Sequence, residues 1–475
     1  MAADAKGAAA AGAADGADVE QALYEVRRKI YPRAVTGRFA LWRWFFVWAT
    51  QLVFYGLPWL SWNDRQAVLF DLVHRKFYIF GLVFWPQDIV YLAVLLIISA
   101  YSLFLFTAVA GRLWCGFACP QTVYTEIFLW IEKVIEGDRL RRMKLDQSPL
   151  SARKVGLKAA KHGVWIAVAL WTGFTFVGYF TPIHTLGAGV LGAGLGPWET
   201  FWILFYGFAT YGNAGWMREQ VCKYMCPYAR FQSVMFDRDT LIITYDRERG
   251  EPRGARGRKV DAKARGLGDC VDCGICVQVC PTGIDIRDGL QYECIGCAAC
   301  IDGCNQVMDK MSYPRGLIRY SSENALHEHL GFGRMLRRVL RPRVLLYTAI
   351  LWAIILAAGV ALYERVPVKV DVIRDRVASR QDSDEAENVY RLQVMNTTEA
   401  PRRFVISVAG LEDIEIEDGD PQVDIGPASS RMIPVRVEVD REHARKGANP
   451  IVFTVRTVDD GPPVVITEKA SFVVQ

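Results

Sequence analysis

The stretch Cys270-Val-Asp-Cys273-Gly-Ile-Cys276-Val-Gln-Val-Cys280-Pro281 is followed after a short spacer by Cys294-Ile-Gly-Cys297-Ala-Ala-Cys300-Ile-Asp-Gly-Cys304-Asn305. Two matching C-x-x-C-x-x-C-x-x-x-C runs are the spacing of a bacterial two-cluster ferredoxin. Three close thiolates wrap one corner of a 4Fe–4S cube, and the fourth cysteine of each run reaches across to the other cube. One cluster is thereby assigned to Cys270, Cys273, Cys276 and Cys304, the other to Cys294, Cys297, Cys300 and Cys280. A zinc ribbon would show isolated CxxC pairs with longer spacers. Electron transfer is therefore part of the expected chemistry.

Working outward, the 475-residue chain has room for several domains, and its formal net charge of +5 does not suggest nucleic acid. That figure hides an asymmetry. Residues 366–475 carry 14 basic against 20 acidic side chains, so the positive excess lies elsewhere, much of it in short loops beside apolar segments. This is a membrane-protein pattern. All 12 cysteines precede position 305, a distribution unlike that of a secreted disulfide framework. The first 20 residues, rich in Ala, Gly and Asp, read as a disordered tail without a cleavable signal. The sequence contains no P-loop, no dinucleotide fingerprint after a strand and no hydrolase triad.

A hydrocarbon core needs about 20 mostly apolar residues per helix. Five segments answer to that: 39–60 (with Trp42, Trp44, Phe45, Phe46 and Trp48), 89–110, 162–182, 199–216 and 344–363. Residues 66–85 are apolar but broken by Asp71, His74, Arg75 and Lys76, and are expected to form an interfacial, amphipathic helix. Residues 187–196 are too glycine-rich for a stable helix and are expected to loop outside. Lys and Arg gather before the first span, in 111–161 and in 334–343, which the positive-inside rule makes cytoplasmic. The expected organisation is a cytoplasmic tail over 1–37 and a membrane domain over 38–230. A cytoplasmic ferredoxin domain over 231–343, a fifth helix over 344–363 and an external domain over 364–475 follow. In that last part, alternating runs such as Arg403–Val408, Met432–Val439 and Ile451–Arg456 are separated by turn signals at Gly410, Asp418-Gly419 and Asp460-Gly461. They predict an all-β, immunoglobulin-like sandwich.

Four cysteines remain, as Cys115-Gly-Phe-Ala-Cys119-Pro120 and Cys222-Lys-Tyr-Met-Cys226-Pro227. Each C-x-x-x-C-P motif lies just past the cytoplasmic end of an apolar span, which makes the pair an internal repeat. An i, i+4 spacing puts both sulfurs on one face if a helix continues through them, and the proline predicts a kink or helix end nearby. The four thiols are expected to converge near the iron–sulfur domain. Soft thiolates favour Cu(I), zinc or iron–sulfur centres, and buried cysteines also serve simply to pack helices. Met217, Met225 and Met235 offer further soft ligands or core filler. His74, His184, His327 and His329 read as ordinary interfacial or surface residues. Asp88 is expected to cap the second span. Glu126 is either a proton acceptor for thiol chemistry or a residue of a solvated helix face. Residues 253–259 read as a basic linker that could touch anionic lipid.

The run Gly111-Arg-Leu-Trp-Cys115-Gly-Phe-Ala-Cys119-Pro-Gln-Thr-Val-Tyr-Thr, the Lys29-Ile-Tyr-Pro-Arg33 segment, the ferredoxin insert and the external tail together resemble the cytochrome c oxidase accessory protein family, CcoG, also called FixG or RdxA. The resemblance implies a multi-pass protein of the bacterial inner membrane with its β domain in the periplasm. It further implies reduction of Cu(II) to Cu(I) for building a cbb-type haem–copper oxidase, with the oxidase or its copper-delivery proteins as partners. Cys115, Cys119, Cys222 and Cys226 would be the catalytic copper site, fed by a cytoplasmic electron donor through the two clusters. The proline expected after Cys304 is missing. A quinol dehydrogenase and a non-enzymatic copper chaperone or scaffold stay open as alternatives, and so does the oligomeric state, a homo-oligomer included.

Overall fold

The computed structural model describes residues 29–258, 260, 263–375, 385–417, 419–459 and 463–474. The tail up to residue 28, Lys259, Asp418 and Asp460-Gly461 lie outside them. The chain divides into two compact units that each draw on separated stretches of sequence.

Among the described residues, the first unit comprises 29–46, 109–165 and 213–336. Its ferredoxin part repeats itself in backbone as well as in sequence. Gly274 and Ala298, each just after the second cysteine of its run, adopt left-handed conformations at φ of 62° and 58°. Each opens a helix that carries the third cysteine, Ile275–Gln278 in one run and Ala299–Met311 in the other. The helices differ in length for a chemical reason. Pro281 cannot continue a helix, whereas Asn305 lets the second run on through Cys304 to Met311. Its side-chain oxygen accepts from the Gly316 amide at 3.0 Å. A two-stranded antiparallel ribbon, Ile242–Tyr245 with Ile318–Ser321, closes the back. Asp302 of the long helix accepts from the amides of Phe39 and Ala40, capping the helix Arg38–Gly56.

The second unit comprises residues 47–108, 166–212 and 337–475. Two of its helices, Pro86–Ala110 and Pro342–Tyr363, are long and apolar enough to cross a membrane. The other expected spans are also helical but less uniformly apolar. Arg38–Gly56 carries Arg43, and Ala152–Val177 spends its first turns on Arg153, Lys154, Lys158 and Lys161. Pro197–Thr210 gives way to a wide π-helical turn at Tyr211–Met217. Within this unit a β-carbon on Gly173 would stand 2.3 Å from the Ile203 carbonyl oxygen, so two helix backbones meet where only glycine fits.

Two expectations are corrected here. Residues 66–85 form a three-stranded antiparallel sheet, Val68–Asp71, Lys76–Ile79 and Leu82–Phe84, and no amphipathic helix. The charged residues that interrupt the apolar run make its first turn: His74 donates its amide to Asp71. Of residues 187–196, expected to form a loop, 187–191 instead close the helix Ile183–Leu191, because Ile183 and Leu186 are buried and their packing outweighs the poor propensity of Gly187 and Gly189, while 192–196 are irregular.

Among the described residues of 368–474 there are two four-stranded antiparallel sheets. One runs Gln422–Ile425, Arg402–Ala409, Gly447–Thr457, Val465–Val474, and the other Glu415–Ile416, Ser430–Asp440, Glu385–Asn396, Val368–Arg374. Alternate residues face the shared core, where Tyr390, Phe404, Phe453 and Phe472 are fully buried. Each such side chain contributes about 1.5–3 kcal/mol, so the sandwich holds together without a cysteine. The Tyr390 hydroxyl donates to the Ser471 carbonyl at 2.9 Å and ties one sheet to the other.

Candidate functional site

Two voids in the first unit are ringed by cysteines. Cys270, Cys273, Cys276 and Cys304 line one, walled by Tyr245, Ile275, Met308 and Ile318. Cys280, Cys294, Cys297 and Cys300 line the other, with Cys276 at its margin and Ile243, Ile284, Ile286 and Ile295 around it. Four sulfurs in an apolar shell are the donor set and dielectric that a 4Fe–4S cluster takes, so the residues fit the group. Burial pushes the Cys276 thiol to about 11 and those of Cys294 and Cys304 to about 12. Loading therefore has to displace protons, which makes it pH-dependent.

The C-x-x-x-C-P motifs share one local design, and it differs from a helix running through both cysteines. Cys115 sits in the short helix Leu113–Phe117. Cys119 is extended (φ −61°, ψ 129°), and Pro120 opens the next helix, Pro120–Glu136. Likewise Cys222 sits in a π-helical turn, Val221–Met225, Cys226 is extended (φ −81°, ψ 109°), and Pro227 starts Pro227–Met235. Proline is preorganised for the first helical position and lacks the amide that would go unpaired there. The second cysteine of each motif is thus the hinge between two helices.

The structure brings the four thiols together. Cys222 lies within electrostatic reach of Cys119, Cys115 and Cys226, and Cys115 within reach of Cys119 and Cys226. All are free thiols, and no three of these sulfurs lie within 4.8 Å of one another. Gln121 ties the repeats, donating to the carbonyls of Asn213 (2.9 Å) and Arg218 (3.1 Å) ahead of the second motif. Burial raises Cys115 to about 11 and Cys222 to about 12, opposed by the Arg112 guanidinium.

These thiols adjoin the second void. Cys115 and Cys297 belong to one buried cluster with Val279, Ile295 and Ala299, and Cys222 and Cys300 pack against it. The backbones touch. A β-carbon on Gly116 would stand 2.7 Å from the Cys297 nitrogen, and one on Gly296 (φ +69°) would stand 3.0 Å from the Arg112 carbonyl. Arg43 donates to the Cys297 carbonyl at 2.8 Å, and Tyr320 to that of Gly296 at 2.6 Å. A cavity of ≈ 320 Å³ reaches from Trp44 and Trp130 past Glu126 and Glu219 to Cys222 and Cys297. Glu126 is half-buried there, 4.0 Å from Arg43.

The other candidates stand elsewhere. His74 pairs with Asp71, His184 meets the edge of Trp59, His329 faces Glu248 at 3.4 Å, and His327 ends the helix Glu323–His327. Met225 is exposed. Asp88 does cap its helix, accepting from the Trp85 amide, but is also buried against Arg365 and Lys369. Sequence reasoning missed a buried ionic network beside the motifs. Glu132 pairs with Arg142 (2.8 Å) and Arg218 (2.6 Å), and Glu136 with Lys158 (2.9 Å) and Lys161 (3.1 Å). The i, i+4 spacing of Glu132 and Glu136 was its available signal, since the apolar face of Pro120–Glu136 holds both.

Comparison with known proteins accords with this anatomy. Residues 217–323 match the model of a 4Fe-4S dicluster domain, 92–144 that of a 4Fe-4S binding domain, and 358–475 that of the IG-like fold at the C-terminal of FixG. The nitrogen fixation protein FixG of Rhizobium meliloti is 37% identical over 465 residues, covering 90% of this chain and 88% of its own. Protein RdxA of Cereibacter sphaeroides is 37% identical over 476 residues, covering 96% and 99%. The ferredoxin-type protein NapH of Haemophilus influenzae is 25% identical over 234 residues, covering 46% and 68%. At 37% identity over nearly the whole of the FixG and RdxA chains, and with the IG-like fold of FixG at its end, the chain belongs to the FixG/RdxA family of iron–sulfur proteins.

Proposed function

We propose that this protein is a membrane-bound cupric reductase that supplies Cu(I) for assembly of a cbb-type haem–copper oxidase. The observation that carries the reading is the packing of Cys115 and Cys222 against Cys297 and Cys300, soft ligands beside a cluster site in one buried core. Bound 4Fe–4S clusters supply single electrons, the number that turns Cu(II) into Cu(I). Cu(I) prefers thiolates while Cu(II) prefers harder donors and squarer geometry, so a thiol-lined site favours the reduced ion. The chain's own part is to hold the thiols in an apolar shell, to keep Cys119 and Cys226 at helix hinges, and to keep Glu126 and Glu219 near Cys222. In this reading five helices span the inner membrane, with the ferredoxin part and its electron donor in the cytoplasm and the sandwich in the periplasm, facing the oxidase or its copper-delivery proteins.

Anaerobic stopped-flow tests it. The reduced protein is mixed with Cu(II), and cluster re-oxidation is followed together with Cu(I) capture by a chromogenic chelator. Matched fast kinetics are expected, lost when Cys115, Cys119, Cys222 and Cys226 are all changed to Ala with both clusters retained. Equal rates in the two proteins would sink the proposal. A second reading, oxidation of a quinol, is favoured by the ≈ 320 Å³ cavity between Trp44 and Cys297. It predicts quinol-dependent cluster reduction that survives the fourfold substitution.

A further inference from the structure

Arg112 is 6% exposed, a cation taken out of water, and it needs partners of commensurate strength. Its Nε donates to Gln232 Oε1 at 2.7 Å, and the same oxygen receives the Cys115 Sγ at 3.5 Å. Its Nη1 donates to two main-chain carbonyls at the start of the second cysteine run, those of Tyr292 just before it and of Cys294 (3.3 Å). The Arg112 carbonyl is itself what the Gly296 backbone abuts. One side chain thus bonds both the partner of Cys115 in the first C-x-x-x-C-P motif and the backbone that carries Cys294, one of the four thiols ringing the second void. Arg43, a second buried guanidinium, donates to the Cys297 carbonyl. The void ringed by Cys270, Cys273, Cys276 and Cys304 has Arg287 in its wall.

We infer that Arg112 is a positioning residue coupling the two centres: its charge favours the reduced state of the cluster held by Cys280, Cys294, Cys297 and Cys300, and its bond to Gln232 fixes Cys115 beside that cluster. A fixed positive charge next to a cluster stabilises the added electron, and in an apolar interior it does so with little screening. The role is independent of which acceptor the thiols serve, so it stands or falls separately from the copper reading.

The test is an anaerobic potentiometric titration of the full-length protein in detergent, with both clusters followed by EPR. Their signals are assigned with Cys273→Ser, which alters only the other set. In Arg112→Gln the reduced-to-oxidised ratio of one cluster at fixed potential is expected to fall at least tenfold, equivalent to about 59 mV for a one-electron couple, while the other cluster holds. Arg112→Lys, which keeps the charge and loses the fork, is expected to stay within about threefold of wild type by the same conversion. The alkylation rate of Cys115, read by mass spectrometry, is expected to depart from wild type in Arg112→Gln and in Gln232→Leu, the latter with unchanged potentials. Equal shifts of both clusters, a Lys variant as perturbed as the Gln variant, or unchanged Cys115 alkylation would each overturn the inference. Should Arg112→Gln fail to hold its clusters, the Lys and Gln232→Leu variants decide it: a tenfold shift in the first or unaltered alkylation in the second refutes it.

Discussion

Glu132 shows how much a single side chain can carry at the residue scale. It is buried among Arg142, Arg218 and Lys161. Burial by itself would raise its carboxyl, yet those three cations, Arg218 foremost, hold it below the ordinary value of 4.5. Asp146 nearby is held well below its ordinary value too: burial would raise it, but hydrogen bonds from Lys158, Lys29 and Tyr31 prevail. A depressed carboxylate contributes stability above its unfolded pKa and loses it as pH falls through the folded one. Glu132→Gln, which leaves cations buried without their partner, is expected to cost about 3–5 kcal/mol at pH 7. In urea titrations at falling pH, the gap between variant and wild type should narrow below about pH 4.5, as the wild type loses what the variant never had. A gap that widened on acidification would contradict the assignment. The i, i+4 spacing marks the pair Glu132 and Glu136, but which cation meets which carboxylate depends on helices that only the fold brings together. The cysteine spacing, by contrast, names two sets of four, and each set lines one void, Cys276 lining both.

At the scale of elements, the two cysteine runs differ by the residue after the last thiol, and that decides how far a helix runs. Asn305 lies inside Ala299–Met311. Asn305→Pro would restore the motif of the first run but remove an interior helical amide, at a cost of about 3 kcal/mol or more. Denaturant unfolding and iron content should both report it, with the cluster at Cys304 lost first. Retention of full iron and stability would show that the helix end is not held by this position. Elements of mixed signal were the ones the sequence misread. Residues 66–85 alternate apolar triplets with charge, and short apolar runs fit helix and strand alike. Val68–Asp71, Lys76–Ile79 and Leu82–Phe84 are rich in aromatic and β-branched residues, and that composition was the better guide. Ile183–Leu191 failed the other way, since tertiary burial of Ile183 supplied what glycine withheld.

For the whole molecule, the proposed orientation places the sandwich outside and the ferredoxin part inside. Protease added to sealed spheroplasts should release a fragment of roughly 110 residues, the span expected of a domain of ordinary size, and leave the dicluster region protected; inverted vesicles should give the converse. The same fragment from inverted vesicles alone would reverse the topology. The sequence suggested a membrane domain ending at 230 and a ferredoxin domain beginning at 231, whereas the first compact unit takes 109–165 together with 213–336.

The glycine contacts bear on how such a protein can be rebuilt. Gly116 of the first motif and Gly296 of the second cysteine run each occupy space that the other segment's backbone leaves for a hydrogen atom. A foreign ferredoxin grafted at residue 231 would arrive without that complementary surface, however well its own cysteines were spaced. The transplantable part is therefore neither module as the sequence delimits it. Any chimera that keeps the thiols beside the cluster has to inherit the seam between Arg112–Phe117 and Tyr292–Ala298 from a single parent.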